Sequence, residues 1–276
     1  EDVALQVCGD ERDARRARTL VEEPPGAVSR CVAGADGYQP LVVESGHVGM
    51  QKAFAQERTL GTRLRGRAAA GGTGDVDAAS LLQELATRPV LVQGTPVVLN
   101  AEQCMSVEGA LGHRVSIITG GPGTGKTATV AAILRAVARQ HASTPLRFAL
   151  AAPTGRAADR LASGVSGALA GLPGASGVDA ELAAQRIQGN TLHRLLGWHP
   201  GAGVFRHHRG NPLDLDLLVV DEASMVDIGL AERMLDALPE GARLVLLGDA
   251  DQLPSVEAGA FFRDACALPW MPVTRL

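Results

Sequence analysis

The stretch "GGPGTGKT", residues 120–127, follows the apolar run "RVSIIT" (114–119) and leads into a helical pattern over 126–140. Glycines at 120, 121, 123 and 125 let the backbone curl, so that several N–H groups turn inward at the positive end of a helix dipole. Lys126 adds a full positive charge suited to the β- and γ-phosphates of ATP, and the Thr127 hydroxyl suits Mg²⁺. The candidate phosphate-binding residues are therefore Gly120, Gly121, Pro122, Gly123, Thr124, Gly125, Lys126 and Thr127. A glycine-rich turn without a ligand has no use for a lysine aimed into it.

Outward from this loop, "VSIITG" (115–120), "FALAAP" (148–153), "DLLVVDEA" (216–223) and "ARLVLLGD" (242–249) are continuous runs rich in Val, Leu and Ile. Such runs mark parallel strands buried on both faces. Helical patterns at 126–140, 155–170, 227–238 and 258–267 alternate with them. The expected fold is α/β, a parallel sheet between helices with its ligand at the carboxyl ends of the strands. The stretch 166–190, "SGALAGLPGASGVDAELAAQRIQGN", breaks the alternation and reads as a surface excursion.

Residues 1–63 form a different pattern: a charged helical stretch at 10–19, a strand at 40–45 ("PLVVES") and a second helical stretch at 50–68. This reads as a small mixed or helical amino-terminal domain. The Gly-rich "AAAGGTGDVDAAS" (68–80) places a flexible linker over 64–80, and 81–276 forms the phosphate-binding lobe.

Two further groups of polar residues end predicted strands. Asp221 and Glu222 close "DLLVVDE", and two adjacent carboxylates there divide the labour: Asp221 for Mg²⁺, Glu222 to polarise an attacking water. Asp249, Asp251 and Gln252 close the next strand, and the Gln252 amide is suited to sense a γ-phosphate because it both donates and accepts.

The totals exclude several classes. A net charge of −4 and a pI near 6.0 give no global attraction to nucleic acid, so any such contact must be local. Aromatic residues are only 3% of the chain, against a module built from base-stacking platforms. Cys8, Cys31, Cys104 and Cys266 form no C-x-x-C pair and point to reduced thiols in a cytoplasm. No apolar run approaches membrane-span length. His207 and His208 lack further ligands at useful spacing, so no metal is assigned to them. Trp198 and Phe205 read as packing residues.

Six ordered segments together resemble the superfamily 1 DNA helicases and, within them, the RecD family of exodeoxyribonuclease V subunits. They are "LNAEQ" (99–103), "GGPGTGKT" (120–127), "AAPTGRAADRL" (151–161), "TLHRLLGW" (191–198), "HHRGNPLDLDLLVVDEASMVD" (207–227) and "LLGDADQLPSVEAGA" (246–260). The resemblance implies a RecA-like lobe, the first of two in such a motor, with Lys126, Asp221, Glu222 and Gln252 as catalytic residues. It implies that Gln103 reads the adenine edge. It further implies that Pro153, Thr154, Gly155, Arg156, Thr191 and His193 meet single-stranded DNA. The implied activity is ATP-driven 5′-to-3′ unwinding in double-strand-break repair and recombination, beside RecB-like and RecC-like subunits that residues 1–63 would contact.

Other readings stay open at this point: a free-standing RecD-like helicase, another P-loop ATPase, or an ATP-binding scaffold subunit with little turnover. The intact set Lys126, Thr127, Asp221, Glu222 and Gln252 speaks against the last. A start at Glu1 and an end at "MPVTRL" read as a piece of a longer protein, and no second lobe follows; the isolated chain is expected to turn over slowly.

Overall fold

The structure, a computed structural model, describes residues 32–33, 41–44, 47–71, 77–92, 94–141, 144–172, 174–252 and 261–276. The chain divides into two compact units, Glu1–Gly61 and Thr62–Leu276. In the first, β1 (Val32–Ala33) runs parallel to β2 (Leu41–Glu44), which pairs antiparallel with β3 (His47–Met50). The helical stretch expected at 10–19 lies outside the described residues.

Helix α1 (Gln51–Ala69) follows β3 directly and crosses the division between the units. Residues 64–69, expected as the start of a flexible linker, are thus helical. The helical stretch read at 50–68 prevails here and tertiary contacts hold it: Leu64 is buried, and the Arg67 guanidinium donates to the carbonyls of Leu238 (2.6 Å), Pro239 (2.8 Å) and Ala242 (3.1 Å). At the other end of the expected linker, α2 (Ala78–Thr87) has already begun, capped by the Asp77 carboxylate accepting from Ser80 N. A short antiparallel hairpin, β4 (Val90–Val92) and β5 (Thr95–Val97), leads to α3 (Ala101–Gly112).

From β6 (Val115–Thr119) onward the chain alternates as its apolar runs predict. Helix α4 (Lys126–Gln140), β7 (Phe148–Ala152), α5 (Gly155–Ala170), α6 (Val178–Ala184), β8 (Gly189–Thr191) and α7 (Leu192–Leu195) follow in turn. After the small hairpin β9 (Trp198–His199) and β10 (Val204–Phe205) come β11 (Leu217–Val220), α8 (Ile228–Ala237), β12 (Arg243–Gly248), α9 (Phe261–Ala267) and β13 (Val273–Arg275). Six strands make one sheet in the order β13-β6-β12-β11-β7-β8, every pair parallel. Every residue of β6, β11 and β12 is buried, as strands covered on both faces require.

Helix α4 is buried along its whole middle, from Ala128 through Ala138, and Arg135 lies within that stretch. Its charge is matched by Asp179 on α6: Arg135 Nε and Nη2 donate to the two carboxylate oxygens, each at 2.9 Å, and both side chains are no more than 2% exposed. Arg139 donates to the same carboxylate at 3.0 Å and reaches Glu84 on α2 at 2.9 Å. The stretch 166–190 is therefore no surface excursion. It holds the end of α5, then α6 with buried Asp179 and Leu182, then the sixth strand of the sheet. A buried arginine two elements away demanded the acid, which local composition does not reveal.

Arg243 solves a second burial problem. It opens β12 at 4% exposure and donates to the Leu111 carbonyl (2.9 Å) at the end of α3 and to Gln140 Oε1 (2.6 Å). Carbonyls left over at a helix end are thereby satisfied.

Burial alone would raise the Asp179 pKa, but the hydrogen bonds and charges of Arg135 and Arg139 bring it down to about 2. A carboxylate depressed in the folded state stabilises above its ordinary pKa and loses that contribution as pH falls from about 4 toward 2. Asp179→Ala is expected to lower unfolding free energy by ~3–5 kcal/mol, since Arg135 would be left buried without its partner. Urea denaturation at pH 7 and pH 3 checks both points: the gap between wild type and variant should narrow at the lower pH.

Candidate functional site

The phosphate loop is held at its base by the neighbouring strand. Gly120 N donates to the Gly248 carbonyl (3.1 Å), and the Thr119 hydroxyl accepts from Ala250 N (3.0 Å). Gly123 and Gly125 adopt φ of +82° and +86°, the left-handed region that a side chain disfavours. A Cβ on Gly125 would also run into Gln103 Nε2.

Most helices of this lobe begin with a side chain that bonds their first N–H groups. Asp77, Asn100, Thr154, Thr191 and Asp227 do so for α2, α3, α5, α7 and α8. Helix α4 begins instead at Gly125, with no side-chain cap. Its leading N–H groups are left for an anion. Lys126 Nζ donates to the Gly120 carbonyl at 2.8 Å, which bends it back across the loop. The cradle, the lysine and the uncapped helix fit the phosphates of ATP.

Gln103 is committed locally. Its Oε1 accepts from Asn100 N (3.0 Å) while Asn100 Oδ1 accepts from Gln103 N (2.8 Å), a capping box that starts α3. Its Nε2 donates to the Thr124 carbonyl (3.0 Å), so the amide fixes the phosphate loop against α3. Next to it, burial and then Glu108 push the Cys104 thiol up, away from the reactive thiolate.

Asp221 and Glu222 stand at the end of β11, as expected. Asp221 is buried, its Oδ1 accepts from Glu222 N (2.9 Å), and burial raises its pKa; the Glu222 N–H bond and the charges of Lys126 and Arg160 oppose that rise, while the Glu222 carboxylate adds to it. A hydroxyl at Thr127 and a carboxylate at Asp221 are the hard oxygen donors that Mg²⁺ takes. Glu222 has φ +53° and ψ 37°, the one left-handed residue other than glycine among those described. That geometry costs of order 1–3 kcal/mol and turns the carboxylate out of the strand line. Its Oε1 accepts from Arg160 Nη2 at 2.7 Å.

Gln252 lies in the exposed turn after β12, where its Nε2 donates to Asp249 Oδ2 (3.2 Å) and Asp251 N donates to Asp249 Oδ1 (3.1 Å). The structure shows it bonded within that turn. The remainder of the segment, 253–260, lies outside the described residues.

The residues assigned to DNA gather at the same sheet edge, over β7 and β8. Ala152 and Thr191 are register partners, and a Cβ on Gly155 would approach Thr191 Cγ2 to 4.0 Å. Thr154 and Thr191 both spend their hydroxyls as helix caps, accepting from Ala157 N (3.3 Å) and Arg194 N (3.2 Å). Pro153 is half-buried, and Gly155 and Arg156 are exposed on the first turn of α5. His193 is exposed and packs against Trp198 (6.2 Å between centroids) and Phe205 (5.9 Å). Trp198 and Phe205 do pack, on each other at 4.7 Å, but Trp198 stays 38% exposed. His207 and His208 bond within their own turn, to the Asn211 carbonyl and from Gly210 N.

Sequence reasoning missed Arg160. It lies four residues after Arg156 on an expected helix, hence on the same face, a signal that was available. Its partner is 62 residues away in sequence and was not.

Layered helices, an all-parallel sheet and an uncapped helix behind a glycine loop make this a RecA-like P-loop lobe. The sequence profile of a family described as an AAA domain (AAA_19) matches residues 103–258, and the chain belongs to that family. Among curated proteins, the RecBCD enzyme subunit RecD of Mycobacterium tuberculosis (strain H37Rv) is 51% identical over 168 residues, covering 59% of this chain and 28% of that protein. The ATP-dependent RecD2 DNA helicase of Deinococcus radiodurans is 42% identical over 161 residues, 58% of this chain and 19% of that protein. The resemblance to RecD drawn from the six segments is borne out by these relatives, of whose length the match spans less than a third. Of solved structures, the UvsW helicase from Bacteriophage T4 shares the fold, with a TM-score of 0.51 at 11% identity over 74% of this chain and 70% of that one.

Gly125→Ala should damage the cradle. The left-handed backbone costs ~1–2 kcal/mol with a Cβ present, and the Gln103 amide must move as well. The variant is expected to melt below the wild type and to lose the rise in melting temperature that Mg-ATP gives it, as thermal scanning with and without nucleotide would show.

Proposed function

We propose that this chain is the ATP-binding lobe of a DNA helicase subunit that works in double-strand-break repair and recombination. One observation supports the reading above others: the phosphate loop, the Asp221–Glu222 pair and the residues assigned to DNA share the carboxyl edge of one sheet. The motor is taken to run 5′-to-3′, as the motif resemblance implies, and the name of the RecBCD relative supports RecB-like and RecC-like partners, met through residues 1–63. Scattered cysteines suit a reducing cytoplasm. Among the described residues no helix is long and apolar enough to cross a membrane.

In this mechanism Lys126 leaves the Gly120 carbonyl for the γ-phosphate, and the leading N–H groups of α4 receive the β-phosphate. Thr127 and Asp221 would hold Mg²⁺, which when bound neutralises phosphate charge. Glu222 takes the proton of the attacking water, and Gln252, once its turn rearranges, registers loss of the γ-phosphate. Adenine lies beside Gln103, whose amide keeps one hydrogen free for it. Pro153, Thr154, Gly155, Arg156, Thr191 and His193 line the strand. A second lobe would supply an arginine worth ~10³–10⁵ in rate, so this chain by itself binds Mg-ATP and hydrolyses it slowly. As a second reading, the chain is the lobe of a free-standing RecD-like DNA helicase, for which the similarity to the ATP-dependent RecD2 DNA helicase of Deinococcus radiodurans speaks.

Lys126→Ala is expected to abolish nucleotide binding in a titration. Glu222→Gln should keep binding and suppress turnover; loss of both would make Glu222 structural. ATP turnover by the wild type with and without single-stranded DNA tests the whole: slow turnover and a Mg-ATP-stabilised fold agree with the reading, and fast DNA-stimulated turnover would show that no second lobe is needed.

A further inference from the structure

Between the nucleotide cluster and the strand cluster stands one ion pair. Arg160 projects from α5, the helix whose first turn carries Arg156, and its Nη2 meets Glu222 Oε1 at 2.7 Å. The Arg160 side chain is 69% exposed and that of Glu222 26%. Arg156 and Arg160 are both exposed and four residues apart, so they stack on one face of α5. A carboxylate whose task is to take a proton from water is thus held by a guanidinium that solvent, and a phosphate, can reach.

We infer that Arg160 is a positioning residue that couples strand binding to hydrolysis: its ion pair with Glu222 keeps the carboxylate from the attacking water until a DNA phosphate draws the guanidinium away. This rests on the helicase reading above. The exchange is favourable because an exposed ion pair is weak, while a planar guanidinium binds a phosphate through paired hydrogen bonds. Glu222 and the phosphate then compete for one cation, and the coupling is reciprocal: whatever weakens the Glu222 contact strengthens the DNA contact. Glu222, already turned out in a left-handed backbone, needs only a side-chain rotation to be free.

The competition is read by binding alone, without turnover. Fluorescence anisotropy of a labelled 20-nucleotide oligo(dT) with this chain, across a salt series, should show Glu222→Gln tightening binding by about fivefold, since it frees Arg160. Arg160→Ala should weaken binding and lower the slope of log K against log salt by about 0.7, the loss of one phosphate contact to a single strand. Arg160→Lys, which keeps the charge, should restore that slope. In the Arg160→Ala background Glu222→Gln should have no effect. Equal tightening in that background would overturn the inference, because the carboxylate would then act by general repulsion. An unchanged salt slope in Arg160→Ala would overturn it too. If the wild type binds no oligo(dT) while Mg-ATP still raises its melting temperature, the DNA reading fails and takes the coupling with it; additive effects on measurable binding defeat the coupling alone.

Discussion

Helix α4 has to satisfy two opposed demands. Its amino end must present unbonded N–H groups to an anion, so Gly125 gives it no side-chain cap. A helix capped by glycine gives up about a few tenths of a kcal/mol against one with a bonding side chain, and it must still stand fixed while charge is placed at its tip. Burial from Ala128 to Ala138 supplies the rigidity: small alanines let its neighbours approach closely, and strands β6, β7, β11 and β12 pack beneath it. The geometry of the phosphate loop is inherited from that packing.

Burying α4 so fully creates a polar debt inside the lobe, and two arginines show how it is met. Arg135 brings a guanidinium into the core and requires Asp179, while Arg139 and Glu84 extend the network to the surface. Arg243, at the start of β12, donates to the carboxyl end of α3 and to Gln140 at the carboxyl end of α4. Both networks clamp the nucleotide helix to its surroundings. Gln103 does the same at the loop itself, joining the start of α3 to the Thr124 carbonyl. An amide implied to read adenine is first of all a strut.

The order of the sheet then places chemistry. With β12 between β6 and β11, and β7 and β8 beyond, the phosphate loop and the Asp221–Glu222 pair sit toward one side of the carboxyl edge, and Thr154, Arg156 and Thr191 toward the other. Glu222 lies where the two groups meet, and its ion pair with Arg160 joins the end of β11 to α5. The ends of β11 and β7, which carry the residues assigned to hydrolysis and to the DNA strand, are neighbours because these adjacent strands pair in register from Leu217 and Phe148.

Much of this was legible in residue order. The helices at 126–140 and 155–170 and the four apolar strands emerged from composition and period alone, because a helix or a doubly buried strand is specified by its own side chains. The glycine loop with Lys126 was equally plain, since backbone freedom and a cation are local needs. The stretch 166–190 was misread and the linker drawn too long for the opposite reason: Asp179 and Arg67 are buried by partners 40 or more residues distant. The sequence by itself determined the elements and the phosphate loop. Only the tertiary structure decided that Arg135 meets Asp179 and that Arg160 meets Glu222, because strand order, not spacing along the chain, brings charges within reach of one another.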